Sequence, residues 1–127
     1  MERIWEELYE QAKSVVCPKE ISAHIEAGAV GAAVLTKAGN VYLGVCIDTS
    51  CSLGMCAERN SLSTMITNGE YEVEKVVAVY KTGEVMPPCG ACREFMMQLN
   101  NGSMIEILLD NEGKVKTLGE LMPEYCY

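Results

Sequence analysis

Apolar residues recur at helical spacing over residues 2–16, where Ile4, Trp5, Leu8, Ala12, Val15 and Val16 fall on one side, and Pro18 follows as a stop. The next stretch, AVGAAVLTKAGNVYLGVCI, changes period and reads as two strands joined by a turn at Ala38-Gly39-Asn40. MCAERNSLSTMITNGE returns to a helical pattern, with Leu62, Met65 and Ile66 on one face and Asn68-Gly69 as the stop. VEKVVAVY is dense in β-branched residues and predicts a buried strand. CGACREFMMQLNNG predicts a further helix ending at Asn101-Gly102, and MIEILLD and KVKTL predict two short strands around Asn111-Glu112-Gly113. Helices in the crossovers between strands imply an α/β sheet covered by helices. Such sheets carry their sites where strands end and helices begin. Cys56, Cys89 and Cys92 fall at those junctions.

Composition narrows the setting. A chain of 127 residues without repeat, linker or low-complexity tract suits one domain, spanning 1–127, with a core that needs no disulfides. A formal net charge of −8 without a basic cluster argues against a nucleic-acid surface. No apolar run approaches the roughly 20 residues of a membrane span. The opening MERIWEELYEQAKSVV is acidic and amphipathic rather than patterned as a signal peptide. The seven cysteines, an odd number, are therefore expected to be reduced thiols or metal ligands in a cytoplasmic setting.

Cys89 and Cys92, three apart on a helix, share a face and can point at one atom. Amides exposed at a helix N-terminus favour thiolate, the form that binds metal. With Cys56 from the other helix start, three thiolates around zinc leave one tetrahedral position open, as in catalytic sites. Glu58 lies two residues after Cys56, so Cys56 must sit in the cap or first turn for both to serve one centre. A carboxylate beside an open position on a metal is suited to carrying protons in a hydrolysis. Two other jobs remain for these cysteines: a Cys-x-x-Cys redox pair, or a closed structural zinc site with Cys46, Cys51 or Cys126 as the fourth ligand. Cys17 and Cys126 otherwise read as idle thiols, His24 as a surface residue, and the eight methionines, mostly at core-facing helical spacing, as packing.

Cys-Ala-Glu at 56–58 followed by Pro-Cys-Gly-Ala-Cys at 88–92 resembles the signature of the zinc nucleoside deaminases in its three-cysteine form. VGAAVLTKAGNVYLG, CAERNSL, PCGACRE and TLGELMP extend the resemblance over most of the chain to the small cytidine deaminases and to blasticidin S deaminase. The resemblance implies a three-layer α/β/α sandwich around a mixed five-stranded sheet. It implies one Zn²⁺ per chain on Cys56, Cys89 and Cys92, with Glu58 as the proton shuttle, and an aminated pyrimidine or nucleoside as substrate. It also implies a homotetramer with active sites at subunit junctions. The backbone at Ala57 and Cys89 would face the pyrimidine's polar edge, and Arg59 would hydrogen-bond the ligand sulfurs. Arg59 matches the cytidine enzymes, whereas Glu94 replaces their usual Gln. Tyr125 and Tyr127 follow Leu-Met-Pro, where relatives place an aromatic near the ligand, often from a neighbouring subunit.

The sequence departs from this family at GVCID. Cys46 stands where an Asn grips the ribose, and Asp48 stands where a Glu does. A thiol cannot reproduce an amide that both donates and accepts. Weak discrimination for ribose is therefore expected, with a modified heterocycle of the blasticidin type as the alternative substrate. A catalytically silent zinc-binding protein is the alternative from another class, and the intact Glu58 argues against it.

Overall fold

The computed structural model describes residues 1–126. Its elements run α1 (Arg3–Ser14), β1 (Lys19–Glu20), β2 (Ile25–Thr36), β3 (Val41–Thr49), α2 (Ala57–Thr67), β4 (Val73–Tyr80), α3 (Gly90–Met97), β5 (Glu106–Leu108), β6 (Val115–Thr117) and α4 (Leu118–Leu121). A 3₁₀ turn at Gly102–Met104 precedes β5.

The sheet runs β3-β2-β4-β5-β6, antiparallel throughout except for the parallel pair β4–β5. The two-residue β1 pairs with Glu26 and Ala27 of β2, on the side that β4 occupies further along. The sheet is therefore mixed and five strands wide, with β1 as an added sixth.

Alternation along the strands builds one core on each face. Ala33, Leu35, Val77, Val79 and Leu108 point to α1 and meet its Trp5, Leu8 and Ala12. Val34, Val76 and Ile107 point the other way and meet Leu62, Met65, Cys92, Met96 and Leu118 from α2, α3 and α4. This is the three-layer α/β/α sandwich. Helix α4 is absent from the periodicity reading but has a local cause: Thr117 accepts from the Glu120 amide, and the Glu120 carboxylate accepts from the Thr117 amide.

The methionines fit the packing expectation in part. Of the eight in the sequence, Met65 and Met96 are buried and Met97 and Met122 pack against the same core, while Met104 is 67 % exposed. Met55 and Met86 lie in the segments before α2 and α3, where helical spacing has no meaning, and both face the main cleft.

Two features of the sheet position the site. In β2 the register against β3 shifts between Ala27 and Gly31, so a bulge turns Ala29 and Val30 toward the cleft. Gly28 sits in this bulge at φ 90°, with the Cys17 carbonyl occupying the space a side chain would need. In β3, a Cβ on Gly44 would lie 2.6 Å from the Ser61 amide nitrogen, so α2 rests directly on the strand. Gly44→Ala should push α2 off the sheet and cost about 1–3 kcal/mol of stability, the usual penalty of overpacking. Urea denaturation would measure this, and an unchanged midpoint would refute the contact.

Candidate metal centre and active-site cleft

Helices α2 and α3 both begin at the C-terminal ends of strands, α2 after β3 and α3 after β4. Cys56 is the N-cap of α2 and Cys89 the N-cap of α3, both in extended backbone. Neither makes a side-chain capping hydrogen bond, where Ser, Thr, Asp or Asn would normally do so. Local helix stability is thus given up, and both sulfurs are free to face each other. Cys92, one turn into α3, is fully buried behind them.

The Sγ atoms of Cys56, Cys89 and Cys92 all lie within 4.8 Å of one another, and those of Cys56 and Cys89 are 3.3 Å apart. A tetrahedral zinc with Zn–S bonds of about 2.3 Å would separate its sulfurs by about 3.8 Å, so the triad fits the ion. Among the described residues no other Cys, His, Asp or Glu joins this group. Cys46, Cys51 and Cys126 therefore do not close the set, and the fourth position is left open.

The electrostatics are those of a cation site. Burial pushes the Cys56 thiol up, and burial with the nearby Glu58 charge pushes Cys92 up further. Burial also raises Cys89, but the amides of Cys92 and Ala91 together with the adjoining thiols outweigh it, and its pKa falls below the ordinary value. A divalent cation at the common point favours the thiolate form in all three. Arg59 Nη2 donates to Cys56 Sγ at 3.6 Å, and its contacts with Cys56 and Cys92 hold the guanidinium firmly charged. The Arg59 Nε is buried without a hydrogen-bond partner.

Glu58 is 4 % exposed, faces the cleft and stands outside the ligand group. Burial raises its pKa, and its own backbone amide and Arg59 only partly oppose this. The cleft has a volume of about 560 Å³. Besides the site residues it is walled by Ala29 and Val30 of the bulge, Tyr80, Met55 and Met86, none of which sequence patterning singles out. The signal that could have pointed to the bulge is the neighbouring Gly28, a glycine inside a strand pattern.

The structure brings Cys46, Asp48, Ala57 and Arg59 to the same cleft as Cys56, Glu58 and Cys89. The Cys46 sulfur accepts the Val30 amide at 3.3 Å, so this thiol ties the bulge to β3. Tyr125 does not line the cleft of its own chain; its hydroxyl donates to Glu94 on the outer face of α3. Tyr127 lies outside the described residues. His24 sits at the surface with its Nδ1 3.3 Å from Ser50 Oγ. All seven cysteines are free thiols.

A covered mixed sheet that presents three thiols and a buried carboxylate at the starts of two crossover helices defines a zinc-dependent hydrolytic deaminase. Residues 5–106 match the cytidine and deoxycytidylate deaminase zinc-binding region, and the chain belongs to that family. It is 37 % identical over 97 residues to the cytidine deaminase of Halalkalibacterium halodurans, a match covering 74 % of each chain. The blasticidin-S deaminase of Bacillus cereus is 28 % identical over 103 residues, again covering 74 % of each. The crystal structure of cytidine deaminase from Mycobacterium tuberculosis superposes with a TM-score of 0.81 at 26 % identity, covering 99 % of each chain.

Purified protein should contain about one zinc per chain, and Cys89→Ala or Cys92→Ala should lose it. Elemental analysis decides this: stoichiometric zinc in the Cys89 variant would overturn the ligand set.

Proposed function

We propose that residues 1–127 act as one domain that hydrolyses the amino group of a cytosine-type nucleoside to a carbonyl and releases ammonia. The observation that carries this reading is the buried Glu58, facing the cleft beside the three thiols without belonging to their ligand group. Cys56, Cys89 and Cys92 would hold a zinc ion, which would supply Lewis-acid activation of the attacking water.

The remaining work falls to the chain. Glu58 Oε takes a proton from that water and delivers it to the ring nitrogen; it then takes the remaining hydroxyl proton of the adduct and passes it to the amine, which leaves as ammonia as the carbonyl forms. A carboxyl pKa raised by burial suits a group that must both accept and return a proton near neutrality. The backbone at Ala57 and Cys89 meets the ring's polar edge, and helix-terminal amides oppose the charge that develops in the adduct. Arg59 offsets the excess negative charge of three thiolates on a dication. Cys46 and Asp48 meet the part of the substrate that carries the sugar. Because Cys46 is engaged with the Val30 amide, it offers a ribose hydroxyl little, and this supports a modified heterocycle of the blasticidin type as the second reading.

The homotetramer belongs to this proposal too. Phe95 on α3, and Tyr125 bonded to the neighbouring Glu94, leave an exposed aromatic surface on the outer face of the site helix on which a second copy would pack. The protein is expected to work in the cytoplasm; among the described residues no helix is long and apolar enough to cross a membrane.

Glu58→Gln should lower kcat for ammonia release by roughly 10²–10⁴-fold while zinc content is unchanged. Full turnover in a zinc-loaded variant would sink the shuttle role. Sedimentation at micromolar concentration should give four chains per particle, and a monomer would refute the assembly.

A further inference from the structure

The turn that follows β4 is anchored from two sides. The Tyr80 amide donates to the Glu84 carbonyl and the Gly83 amide to the Tyr80 carbonyl, both at 2.8 Å. Gly83 permits this closure at φ 90°. Its carbonyl accepts Tyr9 Oη of α1 at 2.6 Å and Asn111 Nδ2 at 2.9 Å. Asn111 Oδ1 also accepts the Val85 amide at 2.9 Å, and the Met86 amide returns to the Ala78 carbonyl at 2.9 Å. Contacts from α1 and from the β5–β6 turn therefore fix the backbone that presents Tyr80 and Met86 to the cleft.

Tyr80 faces the site. It pairs directly with Val30, as Ala78 pairs with Ala32, and alternate residues of a strand share a face. Ala32 and Ala78 pack against Ala57 of α2 and Cys46 of β3, so that face is the one bearing the metal centre. Among the described residues Tyr80 is the one aromatic side chain lining the cleft, whose apolar walls are otherwise aliphatic or sulfur-bearing. The fold itself makes no use of this ring. It belongs to none of the three buried clusters, and among the described residues no hydrogen bond engages its hydroxyl. Lys81 Nζ lies over the ring, 5.6 Å from its centroid, but Lys81 borders an outer groove and does not line the cleft. An aromatic surface on a fixed mount, unused by any core, is available to a ligand.

We propose that Tyr80 is a specificity-determining residue whose ring is the flat surface against which the substrate's planar heterocycle lies. This rests on the deaminase reading above and adds to it the residue that selects a planar ring over a puckered one. A delocalised ring gains from an aromatic face a contact that an aliphatic wall of equal bulk does not supply. Because the turn is already fixed, little loop ordering opposes that gain on binding. Every base has such a face, so Tyr80 reads planarity and leaves the exocyclic groups to the polar residues of the cleft.

The test uses the zinc-loaded protein, with Tyr80→Leu to remove the aromatic face at similar bulk and Tyr80→Phe to keep it. Tyr80→Leu should raise KM for cytidine roughly three- to tenfold with kcat within about twofold, and Tyr80→Phe should recover most of the loss. Calorimetric titration with uridine and 5,6-dihydrouridine reads planarity without turnover, since the second compound differs in its saturated, puckered ring. The unaltered protein should bind uridine the more tightly by roughly three- to tenfold, and the ratio should approach one in Tyr80→Leu. Equal dissociation constants for the two compounds in the unaltered protein would overturn the proposal, and this measurement stands even if Tyr80→Leu does not fold. So would a KM that Tyr80→Leu leaves unmoved, or a Tyr80→Phe variant as impaired as Tyr80→Leu. If the unaltered protein releases no ammonia from any aminated pyrimidine the deaminase reading fails, whereas turnover of cytidine with no effect of Tyr80→Leu sinks the role of Tyr80 alone.

Discussion

Helix α2 lies on β3 with no side chain between them at Gly44, and this contact sets where everything chemical can be. Ser61 sits against Gly44 and sends its hydroxyl to the Ala32 and Ala57 carbonyls, so the first turn of α2 is anchored to two strands at once. The N-cap Cys56 and the buried Glu58 are carried on that turn. A bulkier residue at 44 would move both as a unit relative to α3, whose cysteines belong to a different crossover. The metal centre therefore depends on a glycine that never touches it. Catalytic geometry here is a consequence of helix-to-sheet distance.

The same turn concentrates opposing electrostatic demands. Burial favours the neutral forms of Cys56, Cys92 and Glu58, while the amides at the start of α3 draw Cys89 toward thiolate. Arg59 is the counterweight, sharing its charge with the sulfurs from inside the fold. It also lies between the main cleft and a second cavity lined by Glu94 and Phe95, so one side chain links the metal site to the outer face of α3.

Some of this was legible in the sequence because it is local. The β-branched run over Val73–Tyr80 is the strand it reads as, and the spacing of Cys56 and Glu58 required the cap position that Cys56 holds. The three thiols at two helix starts were readable because metal chemistry fixes residue type and spacing together. What escaped was set by tertiary context. The capping box at Thr117 and Glu120 was visible, but a four-residue helix has too short a period to register. Met55 and Met86 looked like packing and instead face the cleft, because cap segments point where the fold aims them. Tyr125 sits on Glu94 and away from its own cleft, which no pattern of residues could announce.

Cys56 and Cys89 are 33 residues apart in the chain, and β4 runs between them. An ion gripped from both sides therefore fastens a long loop shut, as a covalent cross-link would. Closing a loop of this length in a disulfide removes chain entropy from the unfolded state worth about 4 kcal/mol. The catalytic ion would then also clasp the two crossover helices together. Stripping it would loosen the sheet's active-site end well before the α1 face, whose Trp5, Leu8 and Ala12 pack without it.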